Sequence, residues 1–152
     1  MAARAGRKPA VYGPVRAAVD TGALLALASS RDQYHAQAVA IERRFRESGG
    51  RWVGTVLVLG ELQSHLVRRA DAAVARRVIA ALLRDPAYDW RDVPLDLVRA
   101  AVSAWLERFP DQRFSMTDAV TFEIMRVDRI SRAFAFDRDF LTAGYNLMGE
   151  ND

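Results

Sequence analysis

The sequence predicts an α/β fold in which a mainly parallel sheet is covered by helices on both faces. Three observations carry this expectation. Short apolar runs alternate with longer segments whose apolar residues recur every three or four positions, the pattern of strands joined by helical crossovers. The run Val15–Val19 ends on Asp20 and passes without a linker into Thr21-Gly22-Ala23-Leu24-Leu25, a strand feeding a helix. The chain has 152 residues, the size of one ordinary domain, with no internal repeat and no second domain.

Each element follows from its local residues. Residues 1–14 are small, basic and punctuated by Pro and Gly, so a poorly ordered tail is expected there, with one domain over 15–152. After the first strand and its helix, Ser29 to Asp32 offer helix-start residues for a segment reaching about Arg46 and stopped by Gly49-Gly50. Trp52-Val53 is a second strand, and Thr55 caps a helix carrying Leu57, Val58, Glu61, Leu62, His65 and Leu66. Asp71 caps the next helix, whose apolar face holds Val74, Val78, Ile79, Leu82 and Leu83, with Pro86 just past its end. Tyr88 to Val93 reads as a weaker strand, and Leu95 to Phe109 as an amphipathic helix. Ser115 opens another helix, Ala133 to Phe136 form a strand ending on Asp137, Phe140 and Leu141 begin a short helical turn, and Tyr145 to Met148 add an edge strand.

Composition excludes several classes of chemistry. There is no cysteine, which removes disulfides, thiolate metal sites and thiol nucleophiles, and fits a reducing compartment. The two histidines, His35 and His65, have no nearby His or Cys partner, so a zinc site of the usual ligand set is unsupported. No phosphate-cradling Gly-rich loop and no G-x-S-x-G elbow is present. A dehalogenase-like phosphatase would want an aspartate two residues after Asp20, where Gly22 stands. Pro14, Arg16 and Asp20 interrupt the N-terminal apolar stretch before it could serve as a signal peptide, and no run approaches the ~20 apolar residues that span a bilayer. The expectation is a cytoplasmic protein with no membrane contact. All but one of the 22 basic residues are arginine, which suits phosphate recognition but equally follows from a GC-rich genome.

The candidate site is acidic. In a parallel sheet the loops at the carboxyl ends of the strands gather along one edge, where such folds bind ligands. Asp20 and Asp137 both sit at such ends, and if their strands are neighbours the two carboxylates converge. Each alone reads as a turn or cap residue before it reads as a ligand; two such junctions in one small sheet tilt the reading toward a site. Glu61 lies in the apolar helix Val56-Leu57-Val58-Leu59-Gly60-Glu61-Leu62, where a carboxylate is seldom found unless paired or metal-bound. The competing explanation is a helical pair with His65, four residues on. Asp118 completes a capping box with Ser115, a role compatible with pointing a carboxylate into a cleft. Clustered like charges repel and are costly to desolvate, so a cluster implies a cation.

In order, Val19-Asp20-Thr21-Gly22-Ala23-Leu24, Asp32-Gln33-Tyr34-His35, Thr55 through Glu61-Leu62, Ser115-Met116-Thr117-Asp118-Ala119 and Phe136-Asp137-Arg138-Asp139-Phe140 resemble the PIN-domain family, in particular the VapC-like toxins of bacterial toxin–antitoxin pairs. The resemblance implies a three-layer α/β/α sandwich and a ribonuclease using one or two Mg²⁺ or Mn²⁺ ions. Asp20, Glu61, Asp118 and Asp137 match the family's acidic residues and Thr21 its small hydroxyl residue, while Asp139 is left outside the set. It also implies an RNA substrate, an antitoxin protein as partner and a homodimer. PIN domains also serve in RNA processing outside toxin systems. The rival readings are another Mg²⁺-dependent phosphoesterase, and a catalytically silent interaction module whose acids are helix caps.

Overall fold

A computed structural model describes residues 13–149, so the tail expected over 1–14 lies, except for its last two residues, outside the described residues. Strand β1 (Arg16–Val19) leads into α1 (Thr21–Ala28) and α2 (His35–Glu47). Strand β2 (Arg51–Thr55) is followed by α3 (Val56–Arg69) and α4 (Ala72–Arg84). Strand β3 (Tyr88–Arg91) precedes α5 (Leu95–Ala101), which continues as a π-helical segment over Val102–Glu107. Helix α6 (Met116–Asp128), β4 (Arg132–Phe134), α7 (Asp139–Thr142) and β5 (Asn146–Leu147) complete the chain.

The strands lie in the order β3-β2-β1-β4-β5 and every pairing is parallel, where a mainly parallel sheet was expected. Alternate residues along the sheet feed two cores. Ala17, Val19, Trp52 and Phe134 pack with Leu24, Ile41, Phe45, Val58 and Leu62 of α1, α2 and α3. Ala18, Val53 and Ala133 pack on the other face with Ala101, Trp105, Val120, Phe122 and Phe140 of α5 through α7. Helices on both faces thus make the expected three layers. The sheet is tight where β2 meets β3: a Cβ on Gly54 would lie 2.4 Å from Cζ3 of Trp90, the residue paired with it across the ladder.

The helix starts read from sequence hold at three places. The Thr55 hydroxyl accepts from Val58 N–H (3.3 Å), the Asp71 carboxylate from Val74 N–H (2.8 Å), and the Ser115 hydroxyl from Asp118 N–H (3.0 Å). Two boundaries differ. Helix α2 begins at His35, because Asp32 is spent on a turn: its carboxylate accepts from Tyr34 N–H at 2.8 Å and its carbonyl from His35 N–H at 3.0 Å. Strand β4 stops at Phe134, not Phe136. Its partner β1 ends at Val19; the last cross-link is Asp20 N–H to the Phe134 carbonyl (3.0 Å), and beyond it residues 135 and 136 have no strand beside them. Asp137 therefore sits in a loop, three residues past the strand.

Candidate active site

From β1 the chain steps outward to β2 and β3, then returns to the other side of β1 for β4 and β5. The loops after β1 and β4 consequently leave in opposite directions, and a cleft opens between them at the carboxyl edge of the sheet. Its volume is about 890 Å³, and Asp20, Thr21, Glu61, Asp118 and Asp137 all line it. The structure brings together every site residue that the sequence singled out.

Asp20 is the N-cap of α1, yet its carboxylate makes no full capping hydrogen bond. It is pushed up to about 7, first by burial and then by the negative charges of Asp118 and, more weakly, Asp137; the nearby N–H groups of Thr21 and Gly22 only partly offset this. Burial also raises Asp118, with added repulsion from Asp137 and Asp139, against the capping interactions with Ser115 that lower it. Asp118 does both jobs foreseen for it: its carboxylate accepts from Ser115 N–H at 2.8 Å and lines the cleft. Asp137 turns the chain toward α7 by accepting from Asp139 N–H at 2.9 Å.

Glu61 is held differently. The hydroxyl of Thr21 donates to its Oε2 at 3.0 Å and that of Thr117 to its Oε1 at 2.7 Å. Both threonines are buried, so the two hydroxyls fix the carboxylate's rotamer while leaving further lone pairs on each oxygen. The helical pair with His65 is thus not needed to explain a carboxylate here.

The donors are all oxygen, the set that hard cations such as Mg²⁺ and Mn²⁺ prefer. Among the described residues no three His, Asp or Glu side chains stand close enough to enclose a cation on their own. That spacing fits a cation that keeps several of its waters and takes one or two carboxylates directly, as Mg²⁺ does. It does not fit a closed cage.

No family model matches the chain. Over 90 residues it is 39% identical to the 23S rRNA-specific endonuclease VapC20 of two Mycobacterium tuberculosis strains, CDC 1551 and H37Rv. That match spans 58% of this chain and 66% of the curated relative, just under two thirds of its length. The crystal structure of M. tuberculosis VapC20, described as a sarcin–ricin-loop-cleaving toxin, superposes with a TM-score of 0.74 at 31% identity, covering 84% of this chain and 95% of that one. The chain belongs to the VapC-like PIN-domain family. A more distant likeness, to VapBC2 of Rickettsia felis bound to a promoter DNA fragment, has a TM-score of 0.59 at 10% identity, covers 88% of this chain and 97% of that one, and bears on the fold alone.

Within this VapC-like cleft stand residues that sequence reasoning passed over. Thr117 clamps Glu61, and only the third dimension shows it, since 56 positions separate the two. Arg68 lines the cleft one helical repeat beyond Glu61, at i+7 on the same face of α3, a spacing the sequence does contain. Asp139, left outside the set, is raised by burial and by Asp137, which places it in the same electrostatic cluster.

Proposed function

We propose that residues 15–152 form a single Mg²⁺- or Mn²⁺-dependent endoribonuclease domain, the toxin of a type II toxin–antitoxin pair. One observation carries the reading: Asp20, Glu61, Asp118 and Asp137, from four separate elements or loops, line one cleft at the switch point of the sheet. Membership in a family whose relative is named a 23S rRNA-specific endonuclease supports RNA as substrate, and we take a ribosomal RNA loop as its class. An antitoxin and a second copy of the chain are the partners that go with this reading. No described helix is long and apolar enough to cross a membrane; the place of action that goes with this reading is the cytoplasm.

Asp20, Glu61, Asp118 and Asp137 would hold a hydrated cation, one or two of them directly and the others through its waters, and its charge would offset both the burial and the repulsion that raise Asp20. Bound there, it would supply a more acidic water and offset charge developing on the phosphoryl oxygens. The protein's own residues do the rest. Thr21 and Thr117 keep Glu61 aimed along the cleft wall. Arg68 offers a guanidinium at the rim for a flanking phosphate. The apolar side chains of Leu25 and Leu57 line the same cleft.

The test is cleavage of a sarcin–ricin-loop RNA hairpin by wild type, Asp20→Asn and Asp118→Asn, each with Mn²⁺ and with EDTA. Amides keep the shape of the carboxylates but not the charge that holds a cation. Cleavage is expected only from wild type with Mn²⁺. Activity that survives EDTA, or a variant that cuts at the wild-type rate, overturns the assignment.

A further inference from the structure

The segment Asp32-Gln33-Tyr34-His35 has no part in the acidic site, yet it is built with care. The Asp32 carboxylate and carbonyl accept from Tyr34 and His35 N–H, and His35 Nδ1 lies 2.7 Å from the Ala26 carbonyl, fastening the head of α2 to α1. What this clamps in place is Tyr34, 40% exposed, its ring stacked on Phe136 with centroids 4.4 Å apart and planes 5° off parallel.

Phe136 immediately precedes Asp137 and lines the acidic cleft. It also lines a second cavity of about 270 Å³, together with Tyr34, Gln37 and Arg138. Behind the pair, rings continue into the core: Phe136 on Phe134 (6.1 Å), Phe134 on Trp52 (4.9 Å), Trp52 on Phe45 (4.0 Å). The stack is therefore the surface end of a rigid aromatic ladder, not a loose surface residue. An exposed aromatic alone means little. Here a fixed ring, an amide and a guanidinium share one cavity whose wall is also the wall of the acidic cleft.

We propose that the Tyr34–Phe136 stack and its cavity form a subsite for an unstacked nucleobase of the RNA, beside the scissile phosphate. Gln37 faces the base edge and Arg138 takes the adjoining backbone phosphate. Proteins that bind unpaired RNA do so with an aromatic face, which every base can stack on, and a cation for the backbone. The inference rests on the ribonuclease reading for the identity of the ligand, but its residues are separate from the acids.

Affinity is measured by fluorescence anisotropy in EDTA, where cleavage plays no part, with a labelled sarcin–ricin-loop hairpin as probe. Wild type is compared with Tyr34→Ala, Tyr34→Phe and Arg138→Gln, each checked for a wild-type melting transition. Loss of one base–aromatic stack corresponds to roughly tenfold weaker binding. That loss is expected in Tyr34→Ala and not in Tyr34→Phe, which keeps the ring. Arg138→Gln is expected to weaken binding and to reduce the slope of log affinity against log salt by about one. Hairpins abasic at single loop positions locate the base. One abasic position should weaken wild type about as much as Tyr34→Ala does, and should add nothing in that variant. With Mn²⁺, Tyr34→Ala should raise KM more than it lowers kcat. Should Tyr34→Ala fail to fold, Arg138→Gln and the abasic scan on wild type decide. Unchanged affinity in folded Tyr34→Ala overturns the subsite even if that variant loses a protein partner, while wild-type cleavage leaves the nuclease reading standing. Absence of cleavage with intact, Tyr34-dependent RNA binding does the reverse.

Discussion

Metal-free protein should lose stability as the pH rises from 5 to 8, and Asp20→Asn should remove most of that loss. Asp20 is raised from 3.8 to about 7 in the folded protein, so above pH 4 the folded state binds this proton more tightly than the unfolded chain does. A raised carboxyl contributes its stability at low pH and loses it progressively up to its folded value, after which the curve flattens. Each pH unit well inside that interval is worth ~1.36 kcal/mol per proton, and with the slope halved at the folded value the loss from pH 5 to 8 is about 2.6 kcal/mol. Asp118, also raised, acts in the same sense. Asp85 and Glu123 are lowered, by Arg46 and Arg126 respectively, so their contributions change only below the ordinary carboxylate range, outside this window.

For a domain of this size the loss corresponds to a fall in Tm of roughly 5–10 °C. The assay is a thermal melt in EDTA at pH 5, 6, 7 and 8 for wild type and Asp20→Asn. At pH 8 the variant should melt above wild type, since it lacks the buried charge. Saturating Mn²⁺ should reverse that order: a ligand binding only the folded state adds about 2.7 kcal/mol at a hundredfold excess over Kd. A flat wild-type profile in EDTA, or equal slopes in both proteins, would refute the buried, raised Asp20 carboxyl on which the cation site is argued.

Glu61→Gln leaves a single oxygen to meet the hydroxyls of Thr21 and Thr117, so cleavage of the sarcin–ricin hairpin should fall by roughly 10–100-fold while the metal-free melt barely moves. Gly54→Ala drives a methyl into Trp90, whose indole is fixed by its bond to the Leu82 carbonyl at 3.0 Å; urea unfolding should show a loss of about 1–3 kcal/mol. Glu123, 3% exposed, accepts from Trp105 Nε1 (3.1 Å) and from Arg126 (2.7 Å). Glu123→Gln should cost about 1–3 kcal/mol at pH 7, a difference that shrinks in acid as wild-type Glu123 itself takes up a proton.

Much of the site was legible because its signals are local. Asp20 ends an apolar run and opens a helix within two residues, and Glu61 interrupts a helix face that is otherwise apolar. The caps at Thr55, Asp71 and Ser115 are likewise properties of four consecutive residues. The two misplaced boundaries are of another kind. Phe134, Ala135 and Phe136 have equal claims to a strand by propensity, and what ends β4 is the turn of its neighbour into α1. Asp32 was a sound cap candidate, but it serves the turn that presents Tyr34.

The convergence of the acids is the least local feature of all, and it follows from strand order more than from the acids themselves. Had β4 added beyond β3, Asp137 would lie three strands from Asp20, some 14 Å away across the sheet at ~4.8 Å per strand, with the same residues at every position. Placing β4 against β1 does two things together. It brings Asp20 at the end of β1 and the loop that carries Asp137 past β4 to adjacent strands, and it makes the loops diverge, so that a cleft opens where the charge gathers. Helix α3, packed on α1, then carries Glu61 in from one side, and α6 carries Thr117 and Asp118 in from the sheet's other face. Burial alone raises Asp20, and the charges of Asp118 and Asp137 add to it, so part of what each acid costs the fold depends on the others. A helix cap standing alone has no such dependence. A double-mutant cycle between Asp20→Asn and Asp118→Asn in EDTA at pH 8 separates the two cases: clustered charges require the two stabilising effects to be strongly non-additive, whereas independent caps require them to add.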